Sequence, residues 1–213
     1  TDPRRAWAFY GHRLALYRKT SPHTGFTLLQ RFGSTLPGGA FVLTSNVDGQ
    51  FQHAGFDTER VFECHGSIHH LQCIQPCCDS IWSADPIHVE VEAPDFMAAN
   101  PLPSCIQCHA LARPNILMFN DGAWIPKRSQ EQEARLHRWI QLVSSRNLRL
   151  VIVEIGAGTA ISTVRDFSEK TARRLSAALL RINPREPQVP PGGIAIPLGA
   201  EEALTQLLAH PQP

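Results

Sequence analysis

The chain has 213 residues, 43% of them hydrophobic, and a formal net charge of +1 at pH 7. That length buries one good core, or one core plus a small satellite, and so small a charge gives no sign of a partner held by strong electrostatics, so no nucleic acid is expected. No apolar run approaches the roughly 18–20 residues that span a bilayer, so no membrane partner is expected.

In chain order, residues 3–19 read as a helix with Asp2 as N-cap and Pro3 at its first position. Trp7, Phe9, Tyr10, Leu14, Leu16 and Tyr17 give it a broad apolar surface. Ser21 is expected to cap a second helix, with Pro22 at its first position, that runs to about Phe32. Gly38-Gly39 is a turn, and 40–44 is a short apolar run read as a buried strand. Polar residues begin at once beyond it, where ligand loops sit in open parallel sheets. Residues 50–54 read as a short helix closed by Gly55, and Val61-Phe62-Glu63 as a strand ending in Cys64-His65-Gly66.

Residues 67–109 differ in character. They hold five of the six cysteines, four of the ten histidines and a scatter of prolines, with no long apolar period. A segment this poor in core formers needs a staple. Beyond it, 113–119 reads as a strand with Pro114 at an edge, 131–144 as an amphipathic helix, and 148–155 as the clearest strand of the chain. That strand runs into the glycine turn Gly156-Ala157-Gly158-Thr159. Residues 167–180 read as mixed helix and connection, Arg181-Ile182-Asn183 as a last edge strand, 194–196 as a short extended piece and 200–210 as a terminal helix.

The cysteines form two close pairs, Cys73 with Cys77 or Cys78, and Cys105 with Cys108. Such spacing reads as metal binding rather than disulfides, which a chain of this size does not need to make a core, and a cytoplasmic location is expected. Two thiolate pairs close a tetrahedral four-cysteine site, the kind structural zinc prefers, and leave no open position for catalysis. His69, His70 and His109 lie near enough to be alternative ligands, and scattered buried thiols are the competing reading. Cys64 reads as a buried thiol in its strand.

Three strand tips carry polar residues. His65, between a strand and a glycine, is either a general base or a loop histidine. Asn46 and Asp48 either bind hydroxyl and carboxamide groups of a polar ligand or cap their turn. Gly156, Ala157 and Gly158 permit close backbone approach to phosphate or ribose, although the full dinucleotide fingerprint is absent. Three such tips in one α/β domain suggest a shared cleft.

Together these pieces resemble the sirtuin (Sir2) family of NAD-dependent protein deacylases. Thr44-Ser45-Asn46-Val47-Asp48 resembles the family's Thr-Gln-Asn-Ile-Asp, and Glu63-Cys64-His65-Gly66 its Glu-Leu-His-Gly. The two cysteine pairs resemble its zinc ribbon, and Arg113-Pro114-Asn115-Ile116-Leu117-Met118-Phe119 resembles its Arg-Pro-x-Val-Val-x-Phe. Gly156-Ala157-Gly158 falls where the family has Gly-Thr-Ser, Asn183 falls on its late-strand Asn, and Gly199-Ala200 fall near its adenine end.

The resemblance implies an α/β fold: a Rossmann-like parallel sheet with helices on both faces, formed by 1–66 and 110–213, with 67–109 inserted as a small zinc-ribbon module. It implies NAD and zinc as cofactors and an acylated lysine of a protein or peptide as partner, with the acyl group passing to ADP-ribose as nicotinamide leaves. Carried over, His65, Asn46 and Asp48 are the catalytic residues, and Asn46 and Asp48 also hold the nicotinamide ribose and carboxamide. Gly156, Ala157, Gly158, Asn183, Gly199 and Ala200 contact the rest of the cofactor, and Cys73, Cys77, Cys105 and Cys108 bind zinc. ADP-ribosyl transfer or NAD hydrolysis on the same fold, or a non-catalytic NAD-sensing module, are the alternatives.

Some positions depart from the family pattern. Gly156-Ala157-Gly158 lacks two hydroxyls, which implies two fewer hydrogen bonds to the cofactor. Asn120-Asp121 stands where the family usually has Gly-Glu. The family's opening Gly-Ala-Gly-x-Ser strand and loop do not occur in these residues. They are expected ahead of Thr1, and NAD binding is expected to be weak without them.

Overall fold

The computed structural model describes residues 2–92 and 95–209. By its internal contacts the chain divides into two compact units. One comprises Thr1–Ser21, Thr44–His53 and Phe62–Glu133; the other comprises Pro22–Leu43, Ala54–Val61 and Ala134–Pro213.

The first unit is built on α1 (Pro3–Lys19). The Asp2 carboxylate accepts from the Arg4 N–H at 2.8 Å, and Pro3 opens the helix where no N–H is needed. Trp7, Ala8 and Leu14 face a core with Ile68, Leu71, Ala84, Ala98, Ala112 and Ile116. The Trp7 indole donates to the Ala112 carbonyl at 3.0 Å, so the largest buried ring keeps its polar atom satisfied. β1 (Val42–Thr44) and β2 (Val61–Glu63) straddle the division of the chain, α3 (Gln50–His53) lies in the first unit, and the main strand of this unit is β3 (Gly66–Cys73). It pairs antiparallel with β4 (Trp82–Ser83) on one side and β7 (Ala112–Ile116) on the other. A small antiparallel pair, β5 (Val91–Glu92) and β6 (Met97–Ala98), completes its sheets. The cysteine-rich segment thus begins as an extension of a long strand, which the composition of 67–109 conceals.

In the second unit, a parallel sheet runs in the order β10 (Ile194–Ile196), β9 (Ala178–Ile182), β8 (Val151–Ile155). Residues 181–183 are therefore not an edge strand: β9 is central and starts earlier. The helix before it, α5 (Thr163–Leu175), stops at Ser176 in the left-handed conformation with φ 49°. Second-unit helix α2 (Thr24–Thr35) starts later than expected. His23, not Ser21, is its N-cap, and its ring nitrogen accepts from the Gly25 N–H at 3.1 Å. The core joins Ile182, Ala203 and Leu204 to Leu28, Leu29, Val153, Ile155 and Ile196, so α2 and α6 (Ala200–Leu208) share it with the sheet. Helix α4 (Lys127–Ser145), whose residues up to Glu133 belong to the first unit, begins four residues before its expected start. Among the described residues no helix is long and apolar enough to cross a membrane.

Candidate functional site

The loop after β1 and the strand junction after β2 are laced together in the first unit. The Thr44 carbonyl accepts from the Cys64 N–H at 2.9 Å, while the Thr44 hydroxyl accepts from the Asn46 N–H at 3.1 Å. One turn further on, the Ile68 N–H donates to the Val47 carbonyl at 3.0 Å. The structure thereby brings the segment carrying Asn46 and Asp48 against the segment carrying His65. Asn46 is exposed; Asp48 and His65 are half-buried. The Asp48 carboxylate accepts from the Gln50 N–H at 3.0 Å, which turns the chain into α3.

His65 lies between β2 and β3, and its carbonyl accepts from the Leu117 N–H at 2.9 Å. Gly66 follows with φ 80°, and a Cβ there would overlap the Asn115 carbonyl. Only glycine fits a backbone that combines this dihedral with this close approach. Burial draws the His65 imidazole below the usual histidine range, with the main chain of Ser45 acting the other way. The neutral form, able to take a proton, is therefore favoured at neutral pH.

The other cofactor candidates lie in the second unit. Gly156, Ala157 and Gly158 follow β8, and Asn183 follows β9, at the C-terminal ends of parallel strands. The Asn183 amide donates to the Ala157 carbonyl at 3.0 Å, and its oxygen accepts from the N–H groups of Arg185 and Glu186. Arg165 also donates to the Ala157 carbonyl, at 2.9 Å. The Thr159 N–H and hydroxyl both donate to the Glu186 carboxylate, at 2.9 and 2.7 Å. Gly199 caps α6 and Ala200 is its first residue. A separate groove of about 280 Å³ in this unit, walled by Gly38, Arg60, Trp139 and Leu148, contains none of the candidate residues.

The sulfurs of Cys73, Cys77, Cys105 and Cys108 lie within 4.8 Å of one another. Sulfurs bound about 2.3 Å from one tetrahedral zinc stand about 3.8 Å apart, and the Cys73–Cys108 and Cys77–Cys105 separations are each 3.7 Å. The main chain at Cys108 and Gln107 draws the Cys105 thiol down, while burial and neighbouring thiols push Cys73 and Cys77 up, so the sulfur spacing is what argues for a metal. The four residues therefore fit a closed zinc site. Cys78 sits beside Cys77, 3.8 Å away by sulfur, but is not one of the four.

Sequence reasoning missed the side chains that support these loops. His69 contacts the Asp48 carbonyl, and Arg128, Ser129 and Gln132 contact Glu63. No local pattern in the sequence marks them; Ser129 and Gln132 are polar residues that only the fold buries on α4.

The α/β architecture, the paired loops and the four-sulfur cluster define a class, and comparison with known proteins identifies it. The Sir2 family model matches residues 2–151, and the chain belongs to the Sir2 family. It is 26% identical over 138 residues to an NAD-dependent protein deacylase of Thermococcus sibiricus, covering 63% of this chain and 49% of that relative. It is 26% identical over 211 residues to an NAD-dependent protein deacylase of Thermus thermophilus, covering 97% and 72%. The chain thus spans about half the length of the Thermococcus relatives it matches. A solved Sir2 homologue in complex with ADP ribose superposes with a TM-score of 0.72 at 22% identity, covering 98% of this chain and 74% of the other. That likeness establishes the Rossmann-like fold.

Proposed function

We propose that this chain acts in NAD-dependent protein lysine deacylation, with an acylated lysine of a protein or peptide as its partner. The observation that carries this reading is the lacing of 44–49 to 64–69, which gathers Asn46, Asp48 and His65 on one unit of a Sir2-family chain. Bound NAD would supply the ADP-ribose that accepts the acyl group and the nicotinamide that leaves.

In this reading His65 accepts a proton at an imidazole nitrogen. Asn46 and Asp48 offer an amide and a carboxylate to hydroxyl and carboxamide groups. Gly156, Ala157, Gly158, Asn183, Gly199 and Ala200 hold the adenosine and phosphate part through backbone approach and hydrogen bonds. Cys73, Cys77, Cys105 and Cys108 hold a structural zinc, and 67–109 is the zinc module within a Rossmann-like domain of 1–66 and 110–213. A cytoplasmic site of action accords with thiols kept free for a metal.

The test is incubation with NAD and an acetyl-lysine peptide, read by mass spectrometry. O-acetyl-ADP-ribose that disappears in His65→Ala supports deacylation. ADP-ribosylated protein, or free ADP-ribose with the peptide unchanged, replaces it with ADP-ribosyl transfer or NAD hydrolysis.

A further inference from the structure

Glu63, two residues before His65, is held at three points by the start of α4. Its N–H donates to the Gln132 side-chain oxygen at 3.1 Å, and its carbonyl accepts from the Ser129 hydroxyl at 3.0 Å. Its carboxylate pairs with Arg128. Successive residues of a strand direct their main-chain groups to opposite edges. Cys64 is tied to Thr44 on one edge. On the other edge, where a neighbouring strand would ordinarily sit, two helix side chains complete the bonding. Glu63 is 1% exposed and Ser129 and Gln132 are each 4% exposed, so water does not substitute for either bond. Losing one leaves a main-chain group orphaned, and the strand end is then free to shift.

We propose that Ser129 and Gln132 are positioning residues for His65: they fix the strand end from which its imidazole projects, so that α4 sets where the base stands. The inference rests on the reading of His65 as general base. A general base works only within hydrogen-bond reach of its proton, and small displacements of a reacting group are costly in rate. Ser129 and Gln132 are not expected to touch substrate or cofactor.

The experiment compares Ser129→Ala and Gln132→Met with Ser129→Thr, which keeps the hydroxyl, and with His65→Ala. Steady-state kinetics are measured on the full chain, and the His65 imidazole is titrated by NMR with labelled histidine. The expected result is a kcat roughly tenfold lower in Ser129→Ala and Gln132→Met, with KM for the acyl-lysine peptide within about twofold. The His65 titration midpoint moves in both variants and returns in Ser129→Thr. An unmoved midpoint in Ser129→Ala and Gln132→Met overturns the proposal. So does a kcat loss that Ser129→Thr fails to restore. Full activity in His65→Ala would instead refute the general-base reading. A moved midpoint would then still show that α4 positions this imidazole.

Discussion

His69 Nε2 lies 2.9 Å from the carbonyl oxygen of Asp48. A carbonyl only accepts, so this nitrogen carries the proton and the tautomer is fixed. The ring reaches the loop because Gly49 leaves it room. Gly49 has φ 71°, and a Cβ there would stand 2.8 Å from His69 Cδ2. Gly49→Ala therefore meets both backbone strain and a clash, with an expected loss of about 1–3 kcal/mol. A thermal melt checks the stability. Under the proposed reading, deacylation should fall further than stability alone explains, because the displaced loop carries the candidate residues Asn46 and Asp48.

The four-sulfur cluster separates two neighbouring cysteines. Cys77→Ser should lose bound zinc and Cys78→Ser should retain one zinc per chain, as measured by elemental analysis. Structural zinc contributes about 10–16 kcal/mol in small zinc-finger peptides, so chelation should unfold the cysteine-rich segment, seen as rapid hydrogen exchange between Cys73 and Cys108. Retained zinc in Cys77→Ser would move the ligand to Cys78.

His70 gives the fold a pH dependence. Its Nδ1 is buried without a hydrogen-bond partner among the described residues. Burial, reinforced by the charge of Arg128, pulls its pKa down to about 4. The unfolded chain takes up a proton near pH 6.5 and the folded chain does not, so stability is lost as pH falls from about 6.5 towards 4. From pH 7 to pH 5 the loss is about 2 kcal/mol. Urea titrations at the two pH values should show it, and His70→Gln should flatten the difference.

In the second unit, Glu154 on β8 stands beside Arg181 on β9, and their side chains are 0% and 1% exposed. Arg181 also bonds Glu169 at 2.8 Å. Glu154→Leu leaves the buried guanidinium with Glu169 as its remaining carboxylate partner, and should cost about 2–3 kcal/mol, less than a fully unpaired charge. The double variant Glu154→Leu with Arg181→Met should recover much of that loss, since neither charge then remains to be desolvated. A denaturant double-mutant cycle reads both numbers. An additive double variant would mean that the two charges are not coupled.

Local signals carried well into the structure where they were self-contained. Asp2 and Pro3 mark the start of α1 because a cap needs only its own helix. The motif segments around Asn46 and His65 were legible because strand-to-loop transitions are written in adjacent residues. Residues 178–182 were not: Ala-Leu-Leu favours helix by intrinsic propensity, and burial between two parallel neighbours overrides it. The strand Gly66–Cys73 was hidden because its His69-His70 pair breaks the alternation that marks a strand. The supports of the candidate site were also illegible. Ser129 and Gln132 meet Glu63 only through long-range pairing, which no local pattern encodes.

The division of the chain has a consequence for its handling and its history. Passing along the sequence, the polypeptide leaves one unit for the other five times, after Ser21, Leu43, His53, Val61 and Glu133. Neither unit is a contiguous stretch of coding sequence. No single truncation, exon exchange or domain graft can transplant one without severing the other, so recombination would have to inherit them together.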